Sequence, residues 1–472
     1  AWVEYLGAPF LTSFGEVNIR GKYADWQGGD LFLSLHTNAG GGQGTSSFIH
    51  SYAPSRGSKA FQTILHNQLV QDIRKTFNPH WRDRGKKKAN FGELRNTRTM
   101  PAVLVEVAFH DHPQDALLLR NQRFRHLVGR SLYKGISKYL SGKKVVSPLP
   151  PVAFQARNSG PRQVTLSWKA QKDPLEPKSK AKGFIVYASS NGFGFDNGRI
   201  VYSNSYTFRD LVPGAVYYFR VSAFNQGGES LGSEVLSVRV TPPGKKAKIL
   251  VVQGFDRMDR FSTYKKREYN TRNYVIYHGE ALASSGFFYD SISNEALMDH
   301  PEILRQYRLL DWILGEESTK DETFSAKEQE ILAGFLKKGG KFLVSGSEIG
   351  WDLDQKGSTE DKKFYRTYLK AKFVEDKSGT SKIRGKEGTL WKGLSLSLDD
   401  GTHGTYNVDY PDVILPMGGA RAFLTYENLK VAGIGYQGRF RLVYLAFPFE
   451  TVYPKQQRNL LMKRILFFLM GG

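Results

Sequence analysis

The sequence predicts three successive domains: an α/β layered domain, an all-β sandwich and a second α/β layered domain. Three observations carry this. The chain has 472 residues, about three times the roughly 150 that one domain usually takes. Its patterning changes twice, from apolar runs alternating with helical periodicity, to short alternating strands, and back. A Ser, Gly, Lys and Pro stretch over 141–151 and the run Pro242-Pro243-Gly244 punctuate the changes. The expected boundaries are 1–143 for the first domain, 144–151 for a linker, 152–242 for the second domain and 245–472 for the third.

In the first segment, 30–36 (DLFLSLH) reads as a buried strand that ends in a loop. Residues 61–77 place Phe61, Ile64, Leu65, Leu69, Ile73 and Phe77 on one helical face. Residues 102–109 (AVLVEVAF) read as a second buried strand, and 124–140 as another amphipathic helix with Leu127, Leu132, Ile136 and Leu140 inward. Strands alternating with helices argue an α/β layer fold.

The second segment carries 163–168 (QVTLSW), 183–187 (GFIVY) and 216–223 (VYYFRVSA), each with period-two alternation and turn signals between. Pro150-Pro151 opens it, Trp168 sits on the second strand, and 210–225 (DLVPGAVYYFRVSAFN) adds a leucine, proline-glycine and tyrosine pattern. Over its whole length this segment resembles a fibronectin type III domain, which implies a β-sandwich that spaces or binds.

The third segment opens on the strand 249–253 (ILVVQ). A helix over 325–336 follows, with Ser325 as N-cap and Glu328 three residues on. Gly339-Gly340 stops it, 341–345 (KFLVS) is the next strand, and 441–446 (RLVYLA) with a helix over 455–469 closes the segment. This order resembles the flavodoxin-like, three-layer fold of class I glutamine amidotransferases.

Composition narrows the function. There are 67 Lys and Arg against 45 Asp and Glu, a net charge of +22, of which +11 falls in the first 146 residues. That is more than solubility requires and points to an anionic partner: nucleic acid, anionic lipid or a cell-wall polymer. No recognition-helix or RNA-binding signature accompanies the charge, so nucleic acid is not expected. The chain has no cysteine, which excludes disulfides, Cys-ligated metals and a Cys nucleophile, and fits an oxidising compartment. No apolar run of about 18 residues is present, so no membrane-spanning helix is expected. The first residue is Ala1 rather than Met, as in a processed or partial product.

Two motifs carry chemistry. In 34–39 (SLHTNA), His36 stands at the carboxyl end of a buried strand, where open α/β sheets hold ligands and where a neutral imidazole makes a good zinc ligand. A lone His there also serves structure. Glu106 interrupts an otherwise apolar strand, where its charge is costly without a partner. A carboxylate beside a bound metal is a natural general base; an edge-strand salt bridge is the other reading.

Together the motifs resemble the zinc-dependent N-acetylmuramoyl-L-alanine amidases of bacterial cell-wall turnover, over about 10–140. Ser34, His36 and Asn38 match the family's SxHxN strand end; Leu94-Arg95, Pro101 to Glu106, Phe109 and Asp115 match its second hallmark. The resemblance implies Zn2+ as cofactor, His36 as a metal ligand, Glu106 as the catalytic carboxylate, and Asn38 and Arg95 as substrate-binding residues. The family's first two ligands, a His in a His-Gly-Gly motif and a Glu on the following helix, are expected upstream of Ala1; Glu4 and Glu16 do not sit in that context. The implied partner is peptidoglycan or another anionic wall polymer, and the implied location is periplasmic, cell-envelope or secreted. The alternative is a degenerate amidase fold serving as a peptidoglycan-binding or structural subunit of an envelope assembly.

Other residues are read more plainly. His110 and His112 are expected to face solvent or substrate, and 81–88 (WRDRGKKK) to form a basic, solvated loop that clamps anionic polymer. In the third segment the chain lacks the elbow Cys that glutaminase chemistry needs. Ser347 with His403 has no partners that fix a nucleophile and base. A non-catalytic interaction or glycan-binding module is expected there, with Trp351, Asp352 and Asp354 lining its site.

Overall fold

The computed structural model describes residues 13–142, 145–257, 270–319 and 322–471. The start of the first expected domain, with Glu4, and the linker residues Lys143 and Lys144 lie outside the described residues. By contacts the chain divides into two units. The first comprises 1–148, 172–180 and 225–228; the second comprises 149–171, 181–224 and 229–472.

The first unit is built on a four-stranded sheet. Its elements are α1 (Ser13–Gln27), β1 (Phe32–Asn38), β2 (Thr45–His50), α2 (Ser58–Thr76), β3 (Asp83–Ala89), α3 (Gly92–Arg95), β4 (Ala102–Phe109), α4 (Pro113–Arg120) and α5 (Gln122–Ser141). The strand order is β1-β4-β2-β3. β1 runs parallel to β4, and β2 is antiparallel to β4. Because successive strand residues alternate faces, Val103, Val105 and Val107 meet α2 and α5 through Phe61, Leu65, Leu69, Ile73, Phe124 and Leu127. Ala102 and Leu104 point the other way, toward Leu94 of α3, Phe32 and Phe48. Glu106 follows Leu104 on that second face.

The basic run 81–88 is largely a strand, not a loop. β3 pairs in parallel with β2, from Thr45 opposite Asp83 to His50 opposite Ala89. It is an edge strand, so its lysines keep their charges in water while the backbone pairs on one side only, as charged edge strands do. Asp83 also binds buried His66, at 2.8 Å from Nε2.

The expected sandwich strands form as β5 (Val152–Gly160), β6 (Gln163–Lys169), β7 (Gly183–Ser189), β8 (Arg199–Val201), β9 (Ser205–Phe208), β10 (Val216–Asn225), β11 (Gly228–Glu229) and β12 (Leu236–Arg239), in the second unit except for Asn225 and Gly228. Trp168 is buried against Phe184, and inward residues of both sheets share one core. The sheet formed by β5, β6 and β9 does not end at the sandwich. β5 pairs antiparallel with β14 (Tyr289–Ser293), placing Ala156 opposite Ser291.

Beyond the sandwich come β13 (Ile249–Gln253), α6 (Val275–Ser284), β14, α7 (Asn294–Asp299), β15 (Leu309–Gly315), α8 (Ala326–Lys337), β16 (Lys341–Gly346), β17 (Arg441–Leu445) and α9 (Lys455–Met470). β14, β13, β15, β16 and β17 lie side by side and parallel. In chain order this is 2-1-3-4-5. Ile249 and Val251 pack on one face with α6 and α9; Leu250 and Val252 pack on the other with α7 and α8. Ser325 caps α8 and Glu328 reaches back to the Ser325 N–H, completing the capping box read from the sequence. Further antiparallel strands extend the sheet past β17.

Candidate active site on the first sheet

Parallel pairing of β1 with β4 sets His36 directly opposite Glu106. Neighbours in register share a face, so the imidazole and the carboxyl meet at the carboxyl ends of both strands. Ser34, two residues before His36 and on the same face, places Oγ 2.8 Å from His36 Nε2. Glu106 Oε2 is buried without a hydrogen-bond partner. Burial raises the Glu106 carboxyl above its ordinary range, His36 opposes that, Glu93 adds to it, and His110 opposes it.

Glu93 is the residue that the sequence reading did not single out. It lies on α3, is only 4% exposed, and brings Oε1 within 3.4 Å of His36 Nε2. Arg20 Nη1 of α1 stands 3.9 Å from the same oxygen. A carboxylate beside the Leu94-Arg95 hallmark was its only sequence signal; the meeting with His36 depends on how the short α3 turns back over the sheet.

The loop after β1 is fixed by two aspartates. Asp111 Oδ2 accepts the N–H groups of Gly40 and Gly41 at 2.7 and 2.9 Å. Buried Asp115 Oδ2 accepts those of Gly44 and Phe109 at 2.9 and 3.0 Å. At Gly44, φ is +90°, and an added Cβ would stand 2.1 Å from the Arg82 carbonyl oxygen, so only glycine fits.

The remaining expected residues lie around this centre. Asn38 ends β1 opposite Phe109, and its Oδ1 accepts the Ala39 N–H. Arg95 donates to Asn90 and to Asn18 Oδ1, which ties α3 to α1. His110 Nδ1 pairs with Thr37 Oγ1 at 3.1 Å. His112 caps α4 by accepting the Asp115 N–H, a structural task rather than contact with solvent or substrate alone. Arg84 of β3 stacks over Phe109, and Lys87 lies over Phe48 on the face that carries Glu106.

The donors present fit part of a zinc site. His36 is an imidazole at a strand end, and the orphaned Glu106 Oε2 is an acceptor with nothing to accept from. Among the described residues, no three His, Asp or Glu side chains group closely enough to hold a metal ion.

The third segment differs from its expected site. Ser347 is fully buried, with Oγ against the Gly315 carbonyl oxygen, and His403 stacks on Tyr453, so neither is presented as a nucleophile or base. Asp352 accepts the Thr323 N–H, while Asp354 holds Arg366 and the Phe373 N–H. Both are committed to holding local structure, and of the three expected lining residues Trp351 borders a cavity.

Comparison with known proteins places these features. Residues 12–138 match the N-acetylmuramoyl-L-alanine amidase family, and 149–239 match the fibronectin type III domain. The chain is 33% identical over 176 residues to the N-acetylmuramoyl-L-alanine amidase CwlM of Bacillus licheniformis, covering 36% of this chain and 62% of that protein. It is 33% identical over 191 residues to the sporulation-specific N-acetylmuramoyl-L-alanine amidase of Bacillus subtilis, covering 38% and 67%. The solved catalytic domain of CwlV, an N-acetylmuramoyl-L-alanine amidase from Paenibacillus polymyxa, is 29% identical, with a TM-score of 0.24 over 27% of this chain and 66% of that one. The chain thus spans about three fifths to two thirds of these two curated relatives.

Proposed function

The chain belongs to the N-acetylmuramoyl-L-alanine amidase family, and from that premise we propose that its first unit hydrolyses the amide between N-acetylmuramic acid and the L-alanine of the stem peptide. The observation that carries this is Glu106 Oε2, buried and unpartnered, in register with His36. Zinc, when bound, supplies the Lewis acidity that polarises an amide carbonyl and acidifies water. His36 contributes one ligand nitrogen, and Ser34 orients its ring from 2.8 Å. Glu106 takes a proton from the attacking water and delivers it to the departing L-alanine amine, leaving the lactyl carboxylate behind. Asn38 and Arg95 contact the substrate at the rim, and the basic β3 draws anionic wall polymer to it.

The fibronectin type III segment spaces or binds. The 2-1-3-4-5 order of parallel strands supports a flavodoxin-type, non-catalytic third domain. Action on peptidoglycan implies a periplasmic, envelope or secreted location, alone or in a larger envelope assembly. Among the described residues, no helix is long and apolar enough to cross a membrane.

The test is product chemistry. Purified sacculi digested with the full-length gene product should gain L-alanine amino termini without new reducing ends. Reducing ends instead, or no soluble product, would reject the amidase reading. Wall binding without cleavage and without stoichiometric zinc is what a degenerate, peptidoglycan-binding subunit would show.

A further inference from the structure

A cavity of about 460 Å3 opens in the second unit, bordered by Glu316, Glu348, Asp376, Asp409, Trp351 and Tyr410. The amidase reading makes no use of it. Glu316 and Glu348 follow β15 and β16 by one and two residues, and Arg257 follows β13 by four. The cavity therefore sits past the carboxyl ends of the parallel strands, the place where open α/β sheets hold ligands. Its volume lies within the roughly 300–1,000 Å3 typical of small-molecule sites.

The lining selects a chemical class. Among the described residues that line it, four carboxylates stand with one guanidinium, Arg257, whose Nη1 is 3.5 Å from Glu348, and the Lys356 ammonium acts on Asp376 from beside the cavity, so carboxylates are in excess. Such a field repels phosphates, nucleotides and other anions. Asp376 Oδ1 is buried without a hydrogen-bond partner, and each carboxylate accepts several donors at once. The aromatic walls are held in place. Fully buried Asp412 accepts the N–H groups of Gly350 and Trp351, fixing the backbone of Trp351, and Lys356 covers one face of its ring at 4.5 Å. Tyr410 is 46% exposed and sits at φ +51°, a left-handed conformation that an aromatic residue rarely adopts. Strain of this kind gathers at ligand sites.

We propose that this cavity is a saccharide site, with Tyr410 and Trp351 as the apolar walls for a sugar ring and the carboxylates of Glu348 and Asp376 as acceptors for its hydroxyl donors. It stands independently of the amidase assignment, because free sugars carry no stem-peptide amide.

Isothermal titration of the full chain with tetra-N-acetylchitotetraose, and separately with its fully deacetylated form, tests this. At least one tetrasaccharide should bind with Kd of about 1 mM or tighter. Tyr410→Gly removes the ring while suiting the backbone, and Asp376→Asn keeps the shape. Each should weaken that binding about tenfold or more with the melting temperature preserved. Binding of neither sugar, or binding unchanged in both variants, overturns the proposal; the latter result would place the sugar on the first unit instead.

Discussion

At the scale of residues, the site is a meeting of one imidazole and two carboxyls that chain position alone does not bring together. His36 stood out because it closes an apolar strand, and Glu106 because it interrupts one. Glu93 was not, because its approach to His36 depends on α3 folding over β1. Glu93 Oε1 and Ser34 Oγ both approach the same ring nitrogen, His36 Nε2. Glu93→Gln should therefore weaken zinc affinity by about 10–100-fold, as loss of a group orienting a metal ligand does. Competition with a chromophoric chelator measures this without assaying turnover, and unchanged affinity would remove Glu93 from the site. Gly44 offers a purely structural counterpart. Gly44→Ala places a methyl group against the Arg82 carbonyl at an unfavourable φ. It should cost about 2 kcal/mol or more in urea unfolding.

At the scale of elements, hydrophobic patterning placed β1, β4, α2 and α5 close to their expected limits, but β1 lies at the edge of the described sheet with Leu35 54% exposed, and Leu140 of α5 is exposed rather than inward. Patterning failed at β3, where lysines on an exposed edge erase any apolar alternation and the only commitment to strand is backbone pairing with β2. Capping was legible because its chemistry is local. Ser325 closes a reciprocal pair with Glu328 at the start of α8. Ser325→Ala should cost about 1 kcal/mol, read as a shift in the chemical denaturation midpoint with unchanged slope. A shift near zero would mean that the packing of α8 alone sets its start. Asp352 and Asp354 show the reverse failure. Acidic residues near a strand end read as a site, yet their oxygens are spent on Thr323, Arg366 and Phe373.

At the scale of the whole molecule, two features go beyond what segment-by-segment reading reveals. The first is the sheet shared by the sandwich and the α/β segment through β5 and β14, which rests on backbone pairing and leaves no side-chain signature. The second is a buried charge network beneath that sheet. His278 is fully buried, with Nδ1 2.9 Å from Asp311 and Nε2 3.4 Å from Glu450. Burial alone would lower its pKa, but the two carboxylates carry it up to about 9. The folded value exceeds the unfolded one of about 6.5. The stabilisation is therefore complete below about pH 6.5 and is lost as pH rises toward 9. The melting temperature of the second unit's transition should fall over that window, and His278→Asn should flatten the fall; an equally steep decline in the variant would place its cause elsewhere. The central claim remains the chemistry at Glu106. Its most direct test compares the full-length protein with Glu106→Gln for zinc content and for release of L-alanine amino termini from sacculi. The account predicts zinc retained and release reduced by about a hundredfold or more; undiminished release would contradict it.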